Sequence, residues 1–166
     1  MILVDTNILS TFAKIDKLDL LLRLLEDYDA CISPNVFEEL NKANELGYSY
    51  VKKVFDLIDG QKIQIVSPQR DEFLLSQKLP KGFGSGERDS LAITKSRNLI
   101  FLTNDKKIIN YCGKHEIDCL WLNIVLRLFW RENLLTKGEV NDLIDEIEIK
   151  DKIIITDKEG IFSEGE

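Results

Sequence analysis

Acidic residues at the ends of apolar runs are the groups in this chain best placed to do chemistry. Asp5 closes the run Met1-Ile-Leu-Val4, and Asp105 follows the run Leu99-Ile-Phe-Leu102 by way of Thr103-Asn104. Asp89 stands near the start of a helix-like stretch after Gly84-Ser-Gly86, with Glu87 two residues before it, and Glu39 lies in the helix-like run Asn35 to Gly47. Four carboxylates on one rim repel one another and hold their protons more tightly unless a cation neutralises them. A cluster of Asp5, Glu39, Asp89 and Asp105 therefore implies bound metal, and an all-oxygen ligand set favours Mg2+ or Mn2+ over zinc. Such ions can activate water and stabilise a leaving oxygen.

Other chemistries have less to work with. There is a single histidine, His115, and the three cysteines Cys31, Cys112 and Cys119 lack CxxC spacing, which leaves little for a zinc site or for a base beside a nucleophile. No GxxxxGK[ST] occurs, and Gly82-Phe-Gly84-Ser-Gly86 has no apolar strand in front of it, so nucleotide-cradling loops are not indicated. A net charge of −7 argues against sequence-blind affinity for nucleic acid. It does not exclude a nucleic-acid enzyme whose metal ions supply the local positive charge.

Positioning those acids requires alternating strands and helices. Met1–Val4, Ala30–Ser33, Lys62–Val66, Leu99–Leu102 and Asp118–Leu122 read as strands, the first as a fully buried parallel one. Between and after them, Ile8–Phe12, Leu18–Leu25, Asn35–Gly47, Tyr48–Ile58, 68–79, a stretch opening at Glu87, Lys106–His115, Asn123–Glu132 and Lys137–Ile147 read as helices. Ser33-Pro34 marks one helix entry and Thr136-x-x-Glu139 a capping box at another. Pro80 to Gly86 reads as a loop beside the proposed site. The 166 residues suit one domain, with a hydrophobic share of 44% and a charged share of 31% that are globular values. The expected fold is an α/β three-layer α/β/α sandwich on a mainly parallel five-stranded sheet. Lys152–Thr156 is a possible sixth strand, and Phe162–Glu166 reads as a frayed tail. No run is long enough to span a membrane, and MILVDTN has no basic leader region, so a cytoplasmic protein is expected.

In such a sheet, right-handed crossovers let the first and fourth strands lie side by side where the strand order reverses, the usual ligand crevice of open α/β folds. Asp5 and Asp105 then share one rim. Helix geometry selects among neighbours: Glu38 and Glu39 diverge by about 100°, and Glu87 lies about 200° from Asp89, so Glu87 joins the site only from a cap or loop conformation.

Val-Asp5-Thr-Asn7-Ile-Leu, Ser33-Pro34-x-Val-x-Glu-Glu39-Leu, Gly86-Glu87-x-Asp89-Ser-Leu-Ala-Ile and Leu-Thr103-Asn104-Asp105 resemble, in order and spacing, the four acidic motifs of the PIN-domain family. The resemblance covers roughly residues 1–150, leaving 151–166 as a C-terminal extension. It implies a PIN-like α/β/α fold and a Mg2+- or Mn2+-dependent endoribonuclease, with Asp5, Glu39, Asp89 and Asp105 as catalytic and metal-binding residues. It also implies products bearing a 3'-hydroxyl and a 5'-phosphate, and in many members a toxin held by a small antitoxin protein. Glu87, Asn7, Thr103 and Asn104 are accessory positions, and Arg88 and Lys106 are candidates for steering the RNA backbone, with Lys81 and Lys107 beside them. A non-catalytic PIN-like module binding RNA or protein is the alternative; a phosphorylated receiver-like switch lacks a second acid after the first strand. Trp130, Phe129 and Tyr48 are candidates for a homodimer surface.

Overall fold

The structure is a computed structural model that describes residues 1–164. Five strands, Ile2–Val4 (β1), Ala30–Ile32 (β2), Gln64–Ile65 (β3), Ile100–Leu102 (β4) and Cys119–Leu120 (β5), pair in the order β3-β2-β1-β4-β5. Every pairing is parallel, with Ile2 opposite Ala30 on one side and Ile100 on the other. The chain first builds outward from β1 through β2 to β3, then returns to β1's other edge with β4. The reversal therefore falls between β1 and β4, as the crossover argument requires.

Alternation within strands of two or three residues is enough to feed both faces. Ile2, Val4, Ile32 and Leu102 enter one core, packed by helices Thr6–Lys14 (α1), Leu18–Leu24 (α2), Pro34–Glu45 (α3), Val51–Asp59 (α4), Leu122–Arg131 (α8) and Lys137–Lys150 (α9). Leu3, Cys31 and Phe101 enter the other, covered by Arg70–Lys78 (α5), Ser85–Arg97 (α6) and Lys106–Lys114 (α7). The result is the expected three-layer α/β/α sandwich. Ser33 caps α3 by accepting from the Val36 N–H at 3.3 Å, with Pro34 at the first helical position, and Thr136 and Glu139 form the capping box of α9. Among the described residues no helix is long and apolar enough to cross a membrane.

The C-terminal extension differs from expectation. Lys152–Thr156 forms no strand: Lys152 takes a left-handed φ of 58°, turning the chain back across α8. Side chains satisfy the backbone that a sheet would otherwise have paired. Glu148 accepts from the Ile155 N–H at 2.9 Å, and Asn123 Nδ2 donates to the Thr156 carbonyl at 2.6 Å. A short helix, Lys158–Phe162 (α10), then seats Ile161 in the first core, its carbonyl accepting from the Trp130 indole N–H at 2.8 Å. Phe162 therefore ends a helix and is not frayed; residues 165 and 166 of the expected tail lie outside the described residues. Phe129 is buried against Phe12, ring centroids 5.9 Å apart, while Trp130 is half-buried beside the extension. Tyr48 is exposed.

Helix α6 also starts earlier than the glycine-rich reading implied. Its N-cap is Gly84, so Gly86 lies inside the helix and Asp89 in its second turn. Gly86 serves close approach: a Cβ there would stand 2.8 Å from Glu39 Oε1 and 3.1 Å from Val36 Cγ2 on α3. The buried run Ser90 to Thr94 places α6 deep between α3 and α5.

Candidate active site

Asp5 leaves β1 in an extended conformation and caps α1, so its carboxylate lies at the sheet's carboxyl edge beside the end of β4. Its Oδ1 accepts from the Thr6 N–H at 2.8 Å. Its Oδ2 accepts from Asn7 Nδ2 at 2.7 Å and from the Thr103 hydroxyl at 2.6 Å. Thr103 Oγ1 in turn accepts from the Asp105 N–H at 3.2 Å, and Asn7 Oδ1 accepts from the Asn104 N–H at 3.1 Å. Asn7 and Thr103 thus lock the ends of two adjacent strands around one carboxylate.

The other acids arrive from three helices. Asp105 caps α7, its Oδ1 accepting from the N–H groups of Lys107 and Ile108 at 2.7 and 3.2 Å, which leaves Oδ2 outside the cap. Glu39, half-buried where Glu38 is exposed, accepts through Oε2 from the Thr6 hydroxyl at 2.5 Å. Glu87 folds back on its own helix, accepting from the Gly84 N–H at 2.6 Å in a capping box. That is the cap conformation through which it can share the rim. Asp89 is buried and accepts from Asn35 Nδ2 at 2.5 Å, tying α6 to α3.

Electrostatics shows which of these groups face one another. Burial lifts the Asp5 carboxyl to about 7; the Thr103 hydrogen bond opposes this, and the charges of Glu87 and Glu39 add to it. Burial also raises Glu87, where the Gly84 bond opposes and Asp105 and Glu39 add, with Lys107 offsetting a little. Asp5, Glu39, Glu87 and Asp105 therefore form one field-coupled set. Asp89 is held by its amide partner on α3. Arg88 is half-buried, its Nε without a hydrogen-bond partner among the described residues, while Lys106 is exposed.

Among the described residues no three Asp, Glu, His or Cys side chains stand close enough to cage a cation. The expected cage of Asp5, Glu39, Asp89 and Asp105 is thus not closed, and each of these acids has its own donor: Asn7 and Thr103 on Asp5, Thr6 on Glu39, Asn35 on Asp89, and the α7 cap on Asp105. The donor chemistry still fits a hard divalent ion. Mg2+ keeps several waters and needs only one or two protein carboxylates. Thr6 and Asn35 escaped the sequence reading; their only sequence signal is proximity to Asp5 and to the Ser33-Pro34 helix entry.

The fold is a wholly parallel α/β/α sandwich with acidic residues gathered at its strand-order reversal. The chain belongs to the PIN-domain family, whose model matches residues 1–159. Members are generally nucleases, and PIN domains typically use divalent metals. Among curated proteins, no relative matches the chain.

Proposed function

We propose that this protein is a Mg2+- or Mn2+-dependent endoribonuclease. The observation that carries the reading is the mutual charge field of Asp5, Glu39, Glu87 and Asp105 at the β1–β4 reversal, within a PIN domain. A bound divalent ion would supply an acidified water as nucleophile and neutralise charge developing on the leaving oxygen. Asp5 and Asp105 are the carboxylates with the most rigid mounts, since Asn7 and Thr103 hold the first and the α7 cap holds the second. Glu39 and Glu87 complete the negative field, and Asp89 joins if Asn35 releases it. Arg88 and Lys106 steer the RNA backbone. In-line attack by water leaves a 5'-phosphate and a 3'-hydroxyl. Purified protein should cut single-stranded or structured RNA with Mg2+ or Mn2+, and Asp5→Asn, Asp105→Asn or Asp89→Asn should abolish cutting while circular dichroism stays unchanged. Absence of cutting with both ions, together with no calorimetric metal binding, refutes the reading.

The open cage favours a second reading, a non-catalytic module that binds RNA or a protein. RNA binding indifferent to metal and to Asp5→Asn is its signature. A toxin role, with a small antitoxin as partner in the cytoplasm, follows from the first reading; growth arrest on expression, relieved by a protein encoded next to this one, tests it.

A further inference from the structure

A cleft of about 210 Å3 opens directly beside the acidic rim, between Asn104 and Lys106 on one side and the C-terminal extension on the other. Asn104 and Lys106 flank Asp105 in the chain, and the Asn104 N–H is already bound to Asn7 within the Asp5 network. The side walls are Trp121, the first residue past β5, and Asn123 on α8; the far wall is Ile154 to Thr156. All of it lies at the carboxyl end of β4 and β5, on the same edge as the acids.

We infer that this cleft holds a nucleobase of the RNA strand whose backbone meets the acidic rim. The inference rests on the ribonuclease reading for its substrate and on the cleft itself for its chemistry. Single-stranded nucleic acid is gripped by aromatic faces on which bases stack, set beside cationic groups that follow the backbone. Trp121 is half-buried and lines the cleft, and among the described residues no hydrogen bond engages its indole N–H. Asn123 spends one of its two amide N–H groups on Thr156, which leaves the other N–H and the carbonyl oxygen for a base edge, and Lys106 supplies the exposed cation. The volume is below the roughly 300–1,000 Å3 of sites for drug-sized ligands and suits one ring system.

The far wall is fixed in place. Ile155 is buried and its N–H is held by Glu148, Asn123 holds the next carbonyl, and Asp151 accepts from Thr11 Oγ1 at 2.5 Å and pairs with Lys14 on α1. The extension thus closes a base subsite that the sheet alone leaves open.

Titration with uncharged nucleosides, adenosine and uridine, tests this without metal and without the acids repelling the probe. Either nucleoside should saturably shift the Trp121 indole N–H resonance, while ribose alone should not. Followed at the Asn104 and Lys106 amides, Trp121→Ala should weaken binding roughly 5- to 150-fold, and Trp121→Phe should recover most of it. The proposal is overturned if the nucleosides leave the Trp121 signal unmoved, if ribose shifts it equally, or if Trp121→Ala binds as the parent does. Nucleoside binding in a protein that cuts no RNA would sink hydrolysis and keep the subsite; cutting without nucleoside binding would do the reverse.

Discussion

Replacing Asp5 by asparagine should change stability by an amount that depends on pH. In the folded protein the Asp5 carboxyl rises from 3.8 to about 7, chiefly because it is buried. A folded value above the unfolded one means the folded state binds the proton more tightly. The resulting stability is complete below the unfolded value and is lost as pH rises through about 7. At about 1.4 kcal/mol per tenfold change in proton affinity, the full loss is on the order of 4 kcal/mol. Roughly 2–3 kcal/mol of it falls between about pH 5 and about pH 8. Asparagine carries no charge to desolvate. Its carbonyl can replace Oδ2 as acceptor for Asn7 and Thr103, but its amide cannot accept from Thr6, a pH-independent cost of about 1 kcal/mol. Urea unfolding of chelator-treated parent and Asp5→Asn chains should show the variant gaining roughly 2–3 kcal/mol on the parent from about pH 5 to about pH 8. Ionisation elsewhere largely cancels in the comparison. If the stability difference is the same at both pH values, Asp5 is not a buried, repelled carboxylate and the account of the rim is wrong.

Gly86→Ala puts a methyl group against the tip of Glu39 and against Val36. The flexible tip moves easily, so unfolding should shift by only about 1–2 kcal/mol while calorimetric Mn2+ affinity falls. Arg97 donates to both oxygens of buried Glu72, each at 2.7 Å, so Arg97→Ala should lower stability at neutral pH by roughly 2–4 kcal/mol in urea melts. Because Glu72 lies below its ordinary 4.5, the benefit of that pair is present above 4.5 and fades as pH falls through the lowered value, which an acid titration of parent against variant should trace. Ile161→Ala empties the buried position by which the extension is anchored to the core and should cost about 2–4 kcal/mol, with faster proteolysis after α9.

The frame of this protein was legible because the two central strands, short as they are, each end at a polar residue that holds the site together. Val4-Asp5 and Leu102-Thr103 mark the strand ends, and the handedness of crossovers then makes β1 and β4 neighbours. Local pattern could not resolve the order of the acids along α6. Counting from Glu87 as a helix opening put Asp89 in the first turn; the real start at Ser85 makes Glu87 the capping residue and buries Asp89 one turn in. Nor could pattern find Asn35 opposite Asp89, or Thr6 opposite Glu39, since those contacts arise where α3 crosses α6 and α1, far apart in sequence. The run Lys152-Ile-Ile-Ile-Thr156 has the composition of a strand. What decided otherwise was the polar partners waiting for its backbone, Glu148 and Asn123.

The pairing of β1 carries a consequence for folding. Its partners are Ala30 on one side and Ile100 on the other, so the central strand cannot be flanked until the chain is complete through β4. During synthesis the amino-terminal strand must therefore wait, and Asp5 is without Thr103 and Asp105 until more than a hundred residues have emerged from the ribosome. Long-range closure of this kind slows folding, with helices forming ahead of the sheet. It also means that no amino-terminal fragment short of α7 carries the assembled acidic rim.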